Sequence, residues 1–146
     1  MRLVLDTNVV VAALRSDQGA SRRPLLAALD RRIVVLASVP LMLEYEAVAT
    51  RAEQLAITGL TAEETNAVLD ALAAVIEPIS LRFLWRPHLR EPSDEMVLET
   101  AVNGRADLLV TFNVRHFQDE ARTFGIQVAQ PGEVWRAMRG ADDEKK

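Results

Sequence analysis

Short apolar runs alternate along the chain with longer stretches in which apolar residues recur at helical spacing. Leu3-Val4-Leu5, Ile33-Val34-Val35-Leu36 and Leu108-Leu109-Val110 are such runs, and Ile126-Gln127-Val128 is a shorter fourth. Uninterrupted apolar runs of this length suit strands covered on both faces, as in a parallel sheet. Leu81-Arg82-Phe83-Leu84-Trp85 reads as a further strand at a sheet edge. Helices are predicted over Thr7 to Arg15, Ser21 to Arg31 and Pro40 to about Ala56. Thr61-Ala62-Glu63-Glu64 has capping-box spacing ahead of Ala67, Leu69, Leu72, Ala73 and Ile76. Ser93 is placed to cap a helix running to Asn103, with Gly104 as its stop, and Gln130-Pro131-Gly132-Glu133 opens the last helix. Strands alternating with helices predict right-handed βαβ units. The expected fold is α/β: one domain with an open, mainly parallel central sheet of four or five strands, flanked by helices on both faces.

Composition narrows the picture little. A length of 146 residues fits one domain, and such a chain buries roughly 70% of the surface exposed when unfolded. The absence of cysteine excludes disulfides and thiolate metal sites. Asp6 comes too early for a secretory signal, and the apolar stretch Val9 to Leu14 is far short of the roughly 20 residues that span a bilayer. A soluble, cytoplasmic protein without a membrane segment is expected. The domain should cover 1–138, with 139–146 as a disordered charged tail, since Gly140 to Lys146 are all small or charged. Net charge is −4, so the overall field does not favour nucleic acid. Any nucleic-acid chemistry must therefore rest on local groups and a cation.

Ligands of open parallel sheets collect beyond the carboxyl ends of the strands. Asp6 directly follows the first apolar run, where it can equally cap the next helix. Glu44 lies early in the helix after the second strand, nearer the apolar face than Glu46; it also fits a solvated glutamate near a helix N-terminus. Asp94 begins a later helix beside Glu91 and Glu95, and acids in a first turn are ordinary. Thr111 and Asn113 stand just past the third strand. Singly, each has a structural explanation. Jointly, they converge on one sheet edge, where three carboxylates without a cation would raise one another's pKa values. Oxygen-only donors suit Mg²⁺ or Mn²⁺ rather than zinc.

These segments resemble the PIN domain, the nuclease family that includes the toxin halves of VapBC-type toxin–antitoxin pairs. Leu3-Val4-Leu5-Asp6-Thr7-Asn8-Val9 resembles the family's opening strand and first acid, and Ser38-Val39-Pro40-Leu41-Met42-Leu43-Glu44-Tyr45 its helical glutamate. Glu91-Pro92-Ser93-Asp94-Glu95 resembles the segment of the third acid, which maps onto Asp94. Ala106 to Phe117 resembles the strand and turn that close the site. The blocks keep family order over about residues 2 to 128. Many relatives carry a fourth acid where this chain has Asn113.

The resemblance implies a metal-dependent ribonuclease, with Asp6, Glu44 and Asp94 holding Mg²⁺ or Mn²⁺ and Asn113 fixing the attacking water or completing the coordination. Asn8 and Thr111 would position ligands. Arg15, Arg22, Arg23, Arg115 and His116 are the candidate phosphate partners, with Arg115 and His116 ranked first, although a packed helix position also accounts for His116. It further implies an RNA substrate, a small antitoxin partner and a homodimer, whose interface could use Val68, Leu69, Leu72 and Val75 as readily as the core could. One alternative is a non-catalytic binding module of the same fold acting through a protein partner. Another is a phosphatase of the haloacid dehalogenase type, which needs a second acid where Asn8 stands.

Overall fold

The computed structural model describes residues 1–15, 22–82 and 92–144. Its five strands are β1 (Arg2–Leu5), β2 (Val34–Ala37), β3 (Glu77–Pro78), β4 (Leu108–Val110) and β5 (Gln127–Ala129). They form one sheet in the order β3-β2-β1-β4-β5, and every pair is parallel. Leu3, Val4 and Leu5 are each at most 1% exposed, so both faces of the central strand are covered, as its unbroken apolar run requires.

The described helices are α1 (Thr7–Arg15), α2 (Arg22–Leu29), α3 (Val39–Ala49), α4 (Ala52–Thr58), α5 (Ala62–Val75), α6 (Pro92–Asn103), α7 (Val114–Thr123) and α8 (Pro131–Glu144). Helix α6 buries Val97, Leu98 and Ala101 against β1, β4 and β2. Helix α3 packs on α1, α5 and α6, burying Leu41, Tyr45 and Ala49. The capping box at the start of α5 is present, with the Thr61 hydroxyl accepting from the Glu64 amide and the Glu64 carboxylate accepting from the Thr61 amide. Leu69 and Leu72 of that helix are buried, while Val68 and Val75 pack partly against the same core. No helix among the described residues is long and apolar enough to cross a membrane.

Several sequence expectations need correction. The helix expected over Pro40 to about Ala56 is two helices, α3 and α4. Thr50 turns its hydroxyl back to the Glu46 carbonyl at 2.7 Å, and Arg51 is extended at φ −62, ψ 144. A side chain competing for the carbonyl four residues back loosens a helix, and the polar stretch Thr50 to Gln54 offers no apolar face to continue it. The edge strand is β3, whereas Leu81 and Arg82 form no strand and the rest of the expected segment lies outside the described residues. Glu77 and Pro78 conceal a strand because proline donates nothing to a ladder, which confines it to an edge. Helix α7 was not anticipated. It has few apolar positions, and only the spacing of Phe117, Ala121 and Phe124 signals it.

Ser93 lies inside the first turn of α6, after Pro92, rather than capping it. Gly104 ends α6 for a steric reason: a Cβ there would lie 2.9 Å from Leu36 Cδ1 and 3.0 Å from the Thr100 carbonyl oxygen. The left-handed residue is Arg105, at φ 51. Strands β2 and β5 each begin one residue later than expected, and α2 ends at Leu29 with Arg31 left-handed at φ 59. The backbone of α8 continues helical through Glu144, across most of the segment expected as a disordered tail. Extending a formed helix adds one bond per residue ordered, without a new nucleus.

Candidate active site

The strand order reverses at β1: the chain passes from β1 to β2 on one side and later returns to β4 on the other. The connections leaving β1 and β4 therefore diverge, and a crevice opens between their carboxyl ends. Asp6 is the first residue past β1, and Thr111 the first past β4. Their backbones are tied down. The Asp6 amide donates to the Val110 carbonyl at 2.9 Å, and the Thr111 amide to the Ala129 carbonyl at 3.0 Å. Beneath β1, the buried Tyr45 hydroxyl of α3 donates to the Leu5 carbonyl, fixing the residue that carries Asp6.

Side chains complete the frame. The fully buried Thr111 hydroxyl donates to Asp6 Oδ2 at 2.6 Å and accepts from the Asn113 amide at 2.9 Å. One hydroxyl thus orients a carboxylate with its proton and a turn with its lone pair. Helix α6 brings in Asp94, whose Oδ2 lies 3.2 Å from His116 Nδ1 on α7.

Asp6, Asn8, Glu44, Asp94 and Asn113 line one open cleft of about 420 Å³. Arg15, Gln54 and Phe112 line it too. Glu44 is half-buried and Glu46 exposed, while Glu95 is buried away from the cleft lining. Arg115 is exposed and does not line the cleft. Arg22 bonds the Ala13 carbonyl at 3.2 Å, and the Arg23 guanidinium stacks 4.8 Å from the centre of the Trp135 ring. The structure also reveals neighbours that sequence reasoning passed over. Tyr45 and Gln54 carried no signal. Phe112, an aromatic in a polar turn, could have been picked out, and His116, already a candidate phosphate partner, was not foreseen as a partner of Asp94. His116 faces Asp94 with half its side chain exposed instead of packing into the core.

Burial raises the Asp6 pKa above the ordinary carboxylate range, and the Asp94 charge adds to the rise. The Thr111 hydroxyl, the Thr7 amide and His116 oppose it. The Tyr45 hydroxyl is pushed far up by complete burial and by the charge on Asp6. Negative charge is thus confined in low-dielectric surroundings. Asn8 Oδ1 is buried in the same wall with no hydrogen-bond partner among the described residues. An orphaned acceptor beside a carboxylate of raised pKa fits a hard divalent cation in donor chemistry. Among the described residues, however, no three His, Cys, Asp or Glu side chains are grouped closely enough to hold one ion. The carboxylates share a cleft without closing around a point.

A sequence model of the PIN domain matches residues 2–115, from β1 into the first turn of α7. The chain belongs to the PIN domain family. Its PIN fold is shared by a chain of VapBC2 from Rickettsia felis, solved bound to a DNA fragment from its promoter. That chain is 18% identical with a TM-score of 0.60, and the match covers 89% of this chain and 98% of the other. FitAB bound to an IR36 DNA fragment offers a second match, 17% identical with a TM-score of 0.54, over 89% of this PIN domain chain and 95% of its counterpart. No curated protein sequence matches the chain.

Proposed function

We propose that this PIN domain is a metal-dependent ribonuclease that hydrolyses RNA phosphodiester bonds, as the toxin component of a type II toxin–antitoxin pair. The observation that carries the reading is the meeting of Asp6, Glu44 and Asp94 in one cleft at the switch point of the sheet, with Asp6 held above its ordinary range. Asp6, Glu44 and Asp94 would hold the Mg²⁺ or Mn²⁺, which when bound activates water and offsets charge on the phosphate. The Thr111 hydroxyl holds Asp6 Oδ2, and the Thr7 amide supports the same carboxylate. His116 Nδ1, 3.2 Å from Asp94 Oδ2, would orient that carboxylate. Such supporting partners change metal affinity by roughly ten- to a hundredfold. Asn113, exposed at the rim with its amide anchored on Thr111, would position the attacking water through its neutral side chain. Arg15, within the cleft, replaces Arg115 as the better phosphate partner.

VapBC2 and FitAB are both seen bound to DNA. As the resemblance to the toxins of VapBC-type pairs implies, this chain would act with a small antitoxin and as a homodimer, in the cytoplasm where its RNA is met. A second reading is a non-catalytic PIN-fold module working through a protein partner. The uncharged Asn113 and the spread of the carboxylates favour it. Calorimetric titration with Mn²⁺ separates the two, since dispersed acids bind no ion tightly. Purified protein should cut RNA in Mn²⁺, and Asp6→Asn should not. Absence of cutting by the unaltered chain, with no heat of Mn²⁺ binding, would leave the module.

A further inference from the structure

Phe112 is 43% exposed at the rim of the acidic cleft. It stands between Thr111, whose amide bonds the Ala129 carbonyl, and Asn113, whose amide bonds the Thr111 hydroxyl. The ring is therefore presented on a pinned turn. Phe117 and Phe124 turn inward instead, the first fully buried and the second packed against the core. In the lining of the same cleft, Arg15 is held at 2.9 Å by Gln54 Oε1. A neutral amide orients the guanidinium without cancelling its charge. A carboxylate there would have done both.

A polynucleotide entering this cleft meets three carboxylates on a chain of net charge −4. Affinity cannot come from the general field, so it needs a charge-independent contact and a local cation. An aromatic face supplies the first, because every base has a π-surface, and stacking tolerates any sequence. Arg15 supplies the second. Bases inside a duplex have their faces covered, so a ring on a turn engages only a strand whose bases are splayed out.

We propose that Phe112 is a base-stacking platform at the rim of this cleft, with a nearby phosphate of the same strand paired with Arg15. This assignment rests on the ribonuclease reading and names the residues of this chain that would grip its strand.

The test is equilibrium binding of a short unpaired RNA carrying 2-aminopurine, followed by anisotropy and by quenching of the base emission. The Asp6→Asn protein serves as host so that no strand is cut. Phe112→Leu should weaken binding about five- to a hundredfold and remove the quenching, and Phe112→Trp should keep both. The same strand in a duplex should bind more weakly. Arg15→Gln should flatten the slope of log affinity against log salt by about 0.7, as expected for one phosphate contact on a single strand. Thermal melting of Phe112→Leu close to that of its parent shows that the loss is one of binding. If Phe112→Leu binds and quenches like its parent while the unaltered chain cuts RNA in Mn²⁺, stacking is overturned and the nuclease stands. If nothing is cut yet quenching still requires Phe112, the nuclease falls and the strand site survives. Equal affinity for duplex and single strand, or a Phe112 dependence seen only with a protein partner, also overturns the assignment. An unchanged salt slope in Arg15→Gln removes the phosphate contact.

Discussion

The two ends of the central sheet treat charge in opposite ways. Where the strands begin, Arg2 reaches the first residue of β3 with two hydrogen bonds to Glu77, at 3.1 and 2.6 Å. Its guanidinium also donates to the Gly104 carbonyl at 2.9 Å, and its backbone amide to Asp107 Oδ2 at 2.8 Å. The Arg2 guanidinium holds the Glu77 carboxyl below its usual range. Where the strands end, Asp6 is buried among neutral donors and next to another acid, and its pKa rises. One end uses charge to close the structure. The other keeps charge in a state that an added ligand would relieve, which is the signature expected of a working site.

Substitutions at either end sharpen this contrast. The largest effect should come from Asp6→Asn. RNA hydrolysis in Mn²⁺ should fall to background in a gel assay. The chelator-treated protein should nevertheless melt higher, by about 2–4 °C for each kcal/mol released, because a disfavoured buried charge has gone. A lower melting point without metal would show that Asp6 is a structural cap. Next, Thr111→Val removes the hydroxyl that orients Asp6, and Mn²⁺ affinity measured by calorimetry should drop roughly ten- to a hundredfold. Unaltered affinity would count against a supporting role for Thr111.

At the other end, Gly104→Ala forces a Cβ against Leu36 and the Thr100 carbonyl, costing about 1–3 kcal/mol in denaturant unfolding while Mn²⁺ affinity stays as it was. A loss of metal affinity there would mean that the two ends are coupled. Glu77→Gln should have the least effect, well under about 1 kcal/mol, since the ion pair is exposed to water on both sides. The sign with pH is defined. A carboxyl held low stabilises the fold above its ordinary pKa, and the benefit is lost as pH falls through the depressed value. Melting of the parent and of Glu77→Gln should therefore converge in acid at low salt.

Much of this organisation was readable in one dimension, for reasons that differ by element. Leu3-Val4-Leu5 and Leu108-Leu109-Val110 announce covered strands because a residue buried on either face of a strand must be apolar. The capping box at Thr61 is equally local, since its partners lie three residues apart. Asp6, Glu44 and Thr111 were selected by their places at strand and helix ends, and Asp94 was chosen over Glu91 and Glu95 by the register of the resemblance to the PIN domain. Strand β3 and helix α7 escaped notice because their stability comes from neighbours. Two residues ending in proline are a strand only because β2 lies alongside, and α7 is a helix whose thin apolar stripe finds β5 and α6.

Periodicity thus settled the class of fold, because it follows from local geometry that repeats along the backbone, while the ends of strands and helices together with the family register nominated the acids. Contacts across long stretches of chain decided the remainder. The hydrogen bond between Thr111 and Asp6 joins residues 105 apart, and the pairing of His116 with Asp94 spans 22. Whether Arg15 or Arg115 enters the cleft, and whether Phe112 faces solvent while Phe117 does not, depends on how helices seat on the sheet. Packing is a property of neighbours in space, and linear spacing carries no record of who those neighbours will be.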